Sequence, residues 1–180
     1  MTHTMRSRWL HSFVTCLVLL FATSLSAQTP EWKSYSYPTD GFIAAFPFQP
    51  DIQKKNVPTD AGTFELRSYL ATEGSAAMFV GVCDYGATAA GKDPDSVLNG
   101  AQKGAIANVN GHLLSSKKIT LGIYKGVEFE ADNDTMHFAA RVYLVGTTMY
   151  QTLTAAPLAQ PYSGSTRFLD SFQLIARVQN

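Results

Sequence analysis

Cysteine, histidine and clustered charge are all scarce in this chain of 180 residues, and each scarcity excludes something. There are two cysteines, Cys16 and Cys83, and four histidines. Cys16 lies inside the N-terminal apolar stretch "FVTCLVLLFA", so only Cys83 is left if that stretch is removed. One thiol closes no intramolecular disulfide. Cys83 sits in "AAMFVGVCDY", an apolar strand pattern in which cysteine behaves as a small buried hydrophobe. No HExxH, paired-cysteine motif, phosphate-binding glycine loop or GxSxG elbow occurs. The expectation is therefore no cofactor, no metal site and no enzyme, with a cryptic hydrolase built around His112 or His137 as an alternative. No basic block is present, which argues against a nucleic-acid partner.

Long hydrophobic runs are missing too. The ten residues Phe13 to Ala22 are the main apolar run, too short to span a bilayer. Arg6 and Arg8 precede this run and the small residues "SLSA" follow it. That three-part layout is a secretory signal peptide over residues 1–27. The expected location is periplasmic or secreted, without stable membrane insertion. Of the 14 basic residues Arg6 and Arg8 fall in this leader, leaving 12 against 14 acidic ones. Residues 28–180 have a size suited to one domain with its own core.

What is there reads mostly as β-structure. "WKSYSY" alternates up to a turn at Pro38-Thr39-Asp40-Gly41, and "FIAAF" follows, apolar on both faces as if covered on both sides. "DIQKKNV" is polar enough for an edge strand, and "TFELRSYLA", "AAMFVGVCDY", "HLLSSKKITL" and "GVEFEA" add further strands. One helix is well signalled. Asp93 is a good N-cap, Pro94 suits the first helical position, and Asp95 complements the positive end. Val97, Leu98, Ala101, Ala105, Ile106 and Val109 then form one stripe, ended by Asn110-Gly111. A brief helix is expected after Ser165.

The C-terminal stretch "HFAARVYLVGTTMYQTLTAAP" reads as a hairpin about Gly146-Thr147. That turn pairs Val145 with Thr148, Tyr143 with Tyr150 and Arg141 with Thr152. Phe138, Ala140, Val142, Leu144, Met149 and Leu153 become a core face. The other face carries Arg141, Tyr143 and Tyr150. These residue types dominate binding hot spots, which makes the three the candidate binding residues. Cross-strand tyrosines also serve purely as sheet packing, beneath a helix or the N-terminal segment. The acidic run "EFEADND" reads as a solvated strand face and turn, since it lacks the glycine and distal glutamate of a calcium loop. Asn133-Asp134-Thr135 fits a glycosylation sequon.

With "YPTDGFIAAFP", the helix "DPDSVLNGAQKGAIANV", the "GVEFEA" strand, the hairpin and "FLDSFQL" on the page, the chain resembles the PsbP/Mog1-like family of exported or organellar accessory proteins. The resemblance covers nearly all of residues 28–180. It implies an α+β fold, an antiparallel β-sheet flanked by helices in an α/β/α sandwich. It also implies a non-catalytic, partner-binding or assembly role; the expected partner is a protein or cell-envelope component, bound by a monomer through a sheet face. A small-ligand binder, with a cavity between sheet and helix near Val97, Ile106 and Phe79, is the alternative.

Overall fold

The computed structural model describes residues 30–59 and 62–178. The leader expected over residues 1–27, and with it Arg6, Arg8 and Cys16, lies outside the described residues. Ten strands and two α-helices follow one another: β1 (Lys33–Tyr37), β2 (Phe42–Phe46), β3 (Asp51–Thr59), β4 (Gly62–Glu73), β5 (Ala76–Asp84), α1 (Pro94–Asn108), β6 (His112–Leu121), β7 (Tyr124–Asp132), β8 (Met136–Val145), β9 (Thr148–Pro157), α2 (Ser165–Asp170) and β10 (Gln173–Leu174). They make two antiparallel sheets. The larger has seven strands in the order β3-β4-β5-β9-β8-β7-β6, and the smaller three in the order β1-β2-β10.

The hairpin adopts the expected register. Tyr143 faces Tyr150, Arg141 faces Thr152 and Val145 faces Thr148. The reason is local: Gly146 takes φ +62°, which fixes the turn and hence every pair above it. β3 is an edge strand of the large sheet, as its polarity suggested. β2 differs from expectation: Phe42, Ala44 and Phe46 are fully buried, while Ile43 and Ala45 are only half-buried. It belongs to the small sheet and presents one face, not two, to the core.

Helix α1 forms as its caps dictate. The Asp93 carboxylate accepts a hydrogen bond from the Ser96 amide at 3.0 Å. At the other end Asn110 takes φ +51°, the Gly111 amide donates to the Ile106 carbonyl at 2.9 Å and the Asn110 amide to that of Ala107 at 3.1 Å. This is the reciprocal C-terminal pattern that stops a helix. The apolar stripe packs against β7 and β8: Leu98, Val97, Ala101, Ala105 and Ile106 meet Val127, Phe129, Ala140, Val142 and Leu144. One buried position of α1 is polar. Gln102 donates to the Ser116 hydroxyl on β6 at 2.8 Å, so its burial leaves that amide nitrogen satisfied.

The opposite face of the large sheet is covered chiefly by the small sheet, not by a helical layer as the sandwich expectation had it. Phe42 and Phe46 of β2, with Phe168, Leu169 and Phe172 on and after α2, pack onto Tyr69, Met78, Val80, Val82, Tyr143 and Tyr150. Aromatic contacts join the layers. Phe172 stacks on Tyr143 at 5.9 Å with 5° between the rings, and Phe42 meets Tyr69 edge-on at 4.8 Å. Cys83 is buried on β5, and burial pushes its thiol pKa up, away from the thiolate.

Two glycine substitutions should move stability in opposite directions. An added Cβ at Gly100 on α1 meets open space, so Gly100→Ala should stabilise by about 0.5–1 kcal/mol through helix propensity. At Gly126 the Cβ would come within 2.7 Å of the Val142 carbonyl and 2.6 Å of the Tyr143 ring, neither free to withdraw. Gly126→Ala should cost about 1–3 kcal/mol. Urea midpoints of the two variants against wild type check both signs.

Candidate functional site

The structure divides Arg141, Tyr143 and Tyr150 between two jobs. Tyr143 and Tyr150 are only 4% and 2% exposed. They lie under the small sheet and do not form an open recognition face; alternation along β8 and β9 aims them at a second layer that the local pattern could not reveal. The Tyr150 hydroxyl donates to the Asp40 carbonyl at 2.7 Å and accepts from Arg177 at 3.0 Å. Asp40 is itself buried. Its Oδ1 meets Arg67 Nε at 2.5 Å, an ion-pair contact that is the one polar partner of either atom, and its Oδ2 accepts from Tyr69. Burial, then the Asp40 hydrogen bond and charge, push the Tyr69 pKa up, so Tyr69 stays a neutral donor.

Arg141 lies at the margin of that covered region, its side chain 19% exposed. It lines a cleft of about 430 Å³ between the β7–β9 face, the segment after β9 and α2. Ala139, Ala156, Leu158, Pro161, Tyr162 and Leu169 supply apolar walls, while Glu128, Glu130, His137, Thr154, Ser165 and Thr166 supply polar ones. Most of these stand on regular elements, so the cleft is preformed.

An ion network fixes its wall. Arg141 Nε contacts Glu128 Oε2 at 2.6 Å and its Nη1 contacts Asp170 Oδ1 of α2 at 2.7 Å. Lys117 of β6 reaches the other Glu128 oxygen at 2.6 Å. Pairing across β6, β7 and β8 sets this up, since Lys117 faces Glu128 and Glu128 faces Arg141. Burial would raise the Glu128 pKa, but hydrogen bonds and charge from Lys117 and Arg141 outweigh it and hold the carboxyl below its usual range. For Arg141 burial works against the charge, and the two carboxylates more than restore it. Arg141 is thus a tie between sheet and helix, with its charge already matched. The strand "EFEA" is correspondingly less solvated than expected: Glu128 is drawn into the network and only Glu130 stays exposed.

The hydrolase alternative meets a specific obstacle here. His137 Nδ1 lies 2.6 Å from Asp132 Oδ1, and Ser165 lines the same cleft. Yet Ser165 Oγ donates to the Tyr162 carbonyl at 3.2 Å and accepts from Thr154 at 3.0 Å. Its proton goes to the Tyr162 carbonyl, and among the described residues no hydrogen bond joins Ser165 to His137 as a nucleophile–base pair would need. His112 is exposed at the start of β6. Among the described residues, no three His, Cys, Asp or Glu side chains converge as a metal-holding group, and no helix is long and apolar enough to cross a membrane. The sequon asparagine is occupied structurally: Asn133 Nδ2 donates to the Val109 carbonyl at 2.9 Å, and its Oδ1 accepts from the Met136 amide at 2.8 Å.

No protein-family model matches the sequence, and no curated protein matches it either. Solved structures do. The solution structure of cyanobacterial PsbP (CyanoP) from Synechocystis sp. PCC 6803 superposes with a TM-score of 0.55, covering 83% of this chain and 95% of that one. The fold is PsbP-like. At 12% identity the likeness stops there. The resemblance read from the sequence therefore holds for the architecture, mostly antiparallel sheet in the PsbP-like arrangement. Within that fold the cleft was missed because its walls come from four separate stretches, and the acidic "EFEADND" run was its strongest local signal.

The network predicts an acid-limb phenotype. Because Glu128 titrates below its unfolded value, its stabilisation is fully present above the usual glutamate range near about 4.3 and is lost as pH falls through the lower folded value. Glu128→Gln should cost about 1–3 kcal/mol at neutral pH and flatten the stability loss on acidification. Urea unfolding of both proteins between about pH 2 and 7 tests this.

Proposed function

We propose that this chain, exported by its N-terminal leader to the periplasm or exterior, is a non-catalytic binding domain. Its recognition site is the cleft beside α2, where a protein or cell-envelope partner inserts a side chain. The preformed cleft carries this reading: an apolar lining with convergent polar groups, walled by a locked ion network. Arg141 serves the site as part of its wall, while Tyr143 and Tyr150 serve it from below by holding the sheets together. A second reading, a small-ligand binder, draws support from the volume. About 430 Å³ lies within the range that encloses small molecules. The volume is on the face opposite α1, however, and Val97 and Ile106 pack against the large sheet instead of lining it.

Site-specific photocrosslinking separates these outcomes. A photoreactive residue placed at Leu158, an exposed residue of the cleft wall, should give one dominant protein adduct in intact cells. The same residue at Gln53 on edge strand β3 should not. Filling the cleft with Thr166→Trp should abolish the Leu158 adduct. Equal labelling from both positions, or an adduct indifferent to Thr166→Trp, would count against the cleft as the site. A small molecule retained by the purified protein and lost in Thr166→Trp would favour the second reading.

A further inference from the structure

We propose that the cleft recognises a basic side chain, the ammonium of lysine or the guanidinium of arginine, with Glu130 as the anionic contact. This rests on the cleft being the binding site and names the chemistry it takes.

The charges around the cleft do not cancel. Arg141 is shared between Glu128 and Asp170, and Lys117 is spent on the second oxygen of Glu128. Among the described residues Asp132 pairs with His137 alone, which offsets it only when protonated. Glu130 lines the cleft with no ion pair or side-chain hydrogen bond among the described residues. Among the described residues that line the cleft, two carboxylates, Glu128 and Glu130, meet one permanent cation, Arg141, and Glu130 is the carboxylate left unmatched.

An anionic ligand would need a free guanidinium or ammonium in the cleft, and Arg141, the one permanent cation lining it among the described residues, is matched twice over. A wholly apolar ligand would cover the exposed Glu130 carboxylate and leave it with no partner, which is costly. A long basic side chain meets both conditions. Its methylenes lie along Ala139, Ala156, Tyr162 and Leu169 while its charged end reaches Glu130.

The test uses capped single amino acids as probes in amide NMR titrations of the full domain. N-acetyl-lysine methylamide and its arginine counterpart should shift the amides of Ala139, Ala156 and Leu169, and the binding should weaken as salt is raised. N-acetyl-norleucine methylamide, which keeps the stem without the charge, should bind more weakly, and the glutamate analogue should not bind. Glu130 is exposed, so Glu130→Gln should leave the urea midpoint unchanged. It should lower affinity for the basic probes about threefold to tenfold. Norleucine binding as well as lysine, or Glu130→Gln binding unchanged, overturns the basic-side-chain assignment while leaving the cleft as a site. No shift with any probe overturns the assignment too. The Leu158 photoadduct and its loss in Thr166→Trp then report independently on whether the cleft binds a partner at all.

Discussion

Both faces of β8 are covered, with its neighbour β9 fully covered on one of them, and the rest of the molecule is arranged around that constraint. One face places Ala140, Val142 and Leu144 under α1; the other places Tyr143, Tyr150, Thr152 and Thr154 under the small sheet and α2. A strand buried on both sides needs two separate covers. The chain supplies them from opposite ends of its sequence order. β1 and β2 come before the large sheet is built, α1 comes midway, and α2 with β10 closes the second cover last. β10 pairs with β2, so the small sheet is complete only when the C-terminal segment has returned.

Polar groups inside this two-sheet interface follow from the same arrangement. Tyr69, Tyr150 and Asp40 are buried between the layers, where an unpaired hydroxyl or carboxylate would be strongly destabilising. Tyr69 donates to Asp40, Tyr150 donates to the Asp40 carbonyl and accepts from Arg177, and Arg67 meets the remaining Asp40 oxygen as an ion pair. Asp40 belongs to the tight turn between β1 and β2, with Gly41 at φ +75°. The network therefore ties the turn of the small sheet to β4 and β9 of the large one. Apolar packing between sheets tolerates sliding, whereas a buried ion pair and its hydroxyl partners admit few positions.

Sequence reasoning reached what is set locally. The hairpin register is dictated by one turn glycine, the limits of α1 by Asp93 and Asn110-Gly111, and the edge position of β3 by its lysines and polarity. It stopped where an answer depends on partners distant in sequence. Period-two alternation shows that Tyr143 and Tyr150 share a face but not whether anything lies over it. Asp40 reads as an ordinary turn residue, because Arg67 and Tyr69 lie in β4 and nothing near Asp40 announces them. Gln102 reads as a polar interruption of an amphipathic helix until Ser116 is found beside it. The cleft is harder still, being a gap between elements and not a pattern within one.

That gap is itself a consequence of unequal covers. Along one face of β8 the residues run Tyr143, Arg141, Ala139, His137. Tyr143 is 4% exposed, whereas the side chains of Arg141 and His137 are 19% and 37% exposed. Three short strands and a six-residue helix do not reach across all seven strands of the larger sheet. Where the aromatic cover ends, an apolar strand face would meet water, and the sequence changes there to Arg141, Glu128 and His137. Arg141 pairs with Glu128 and with Asp170, which stiffens the margin and ties α2 to the sheet. The cleft is the space left beside that tie, and β7 contributes Glu128, Glu130 and Asp132 to the margin against the one arginine of β8. The charges of that margin can therefore vary while the buried hairpin and the two sheets stay untouched.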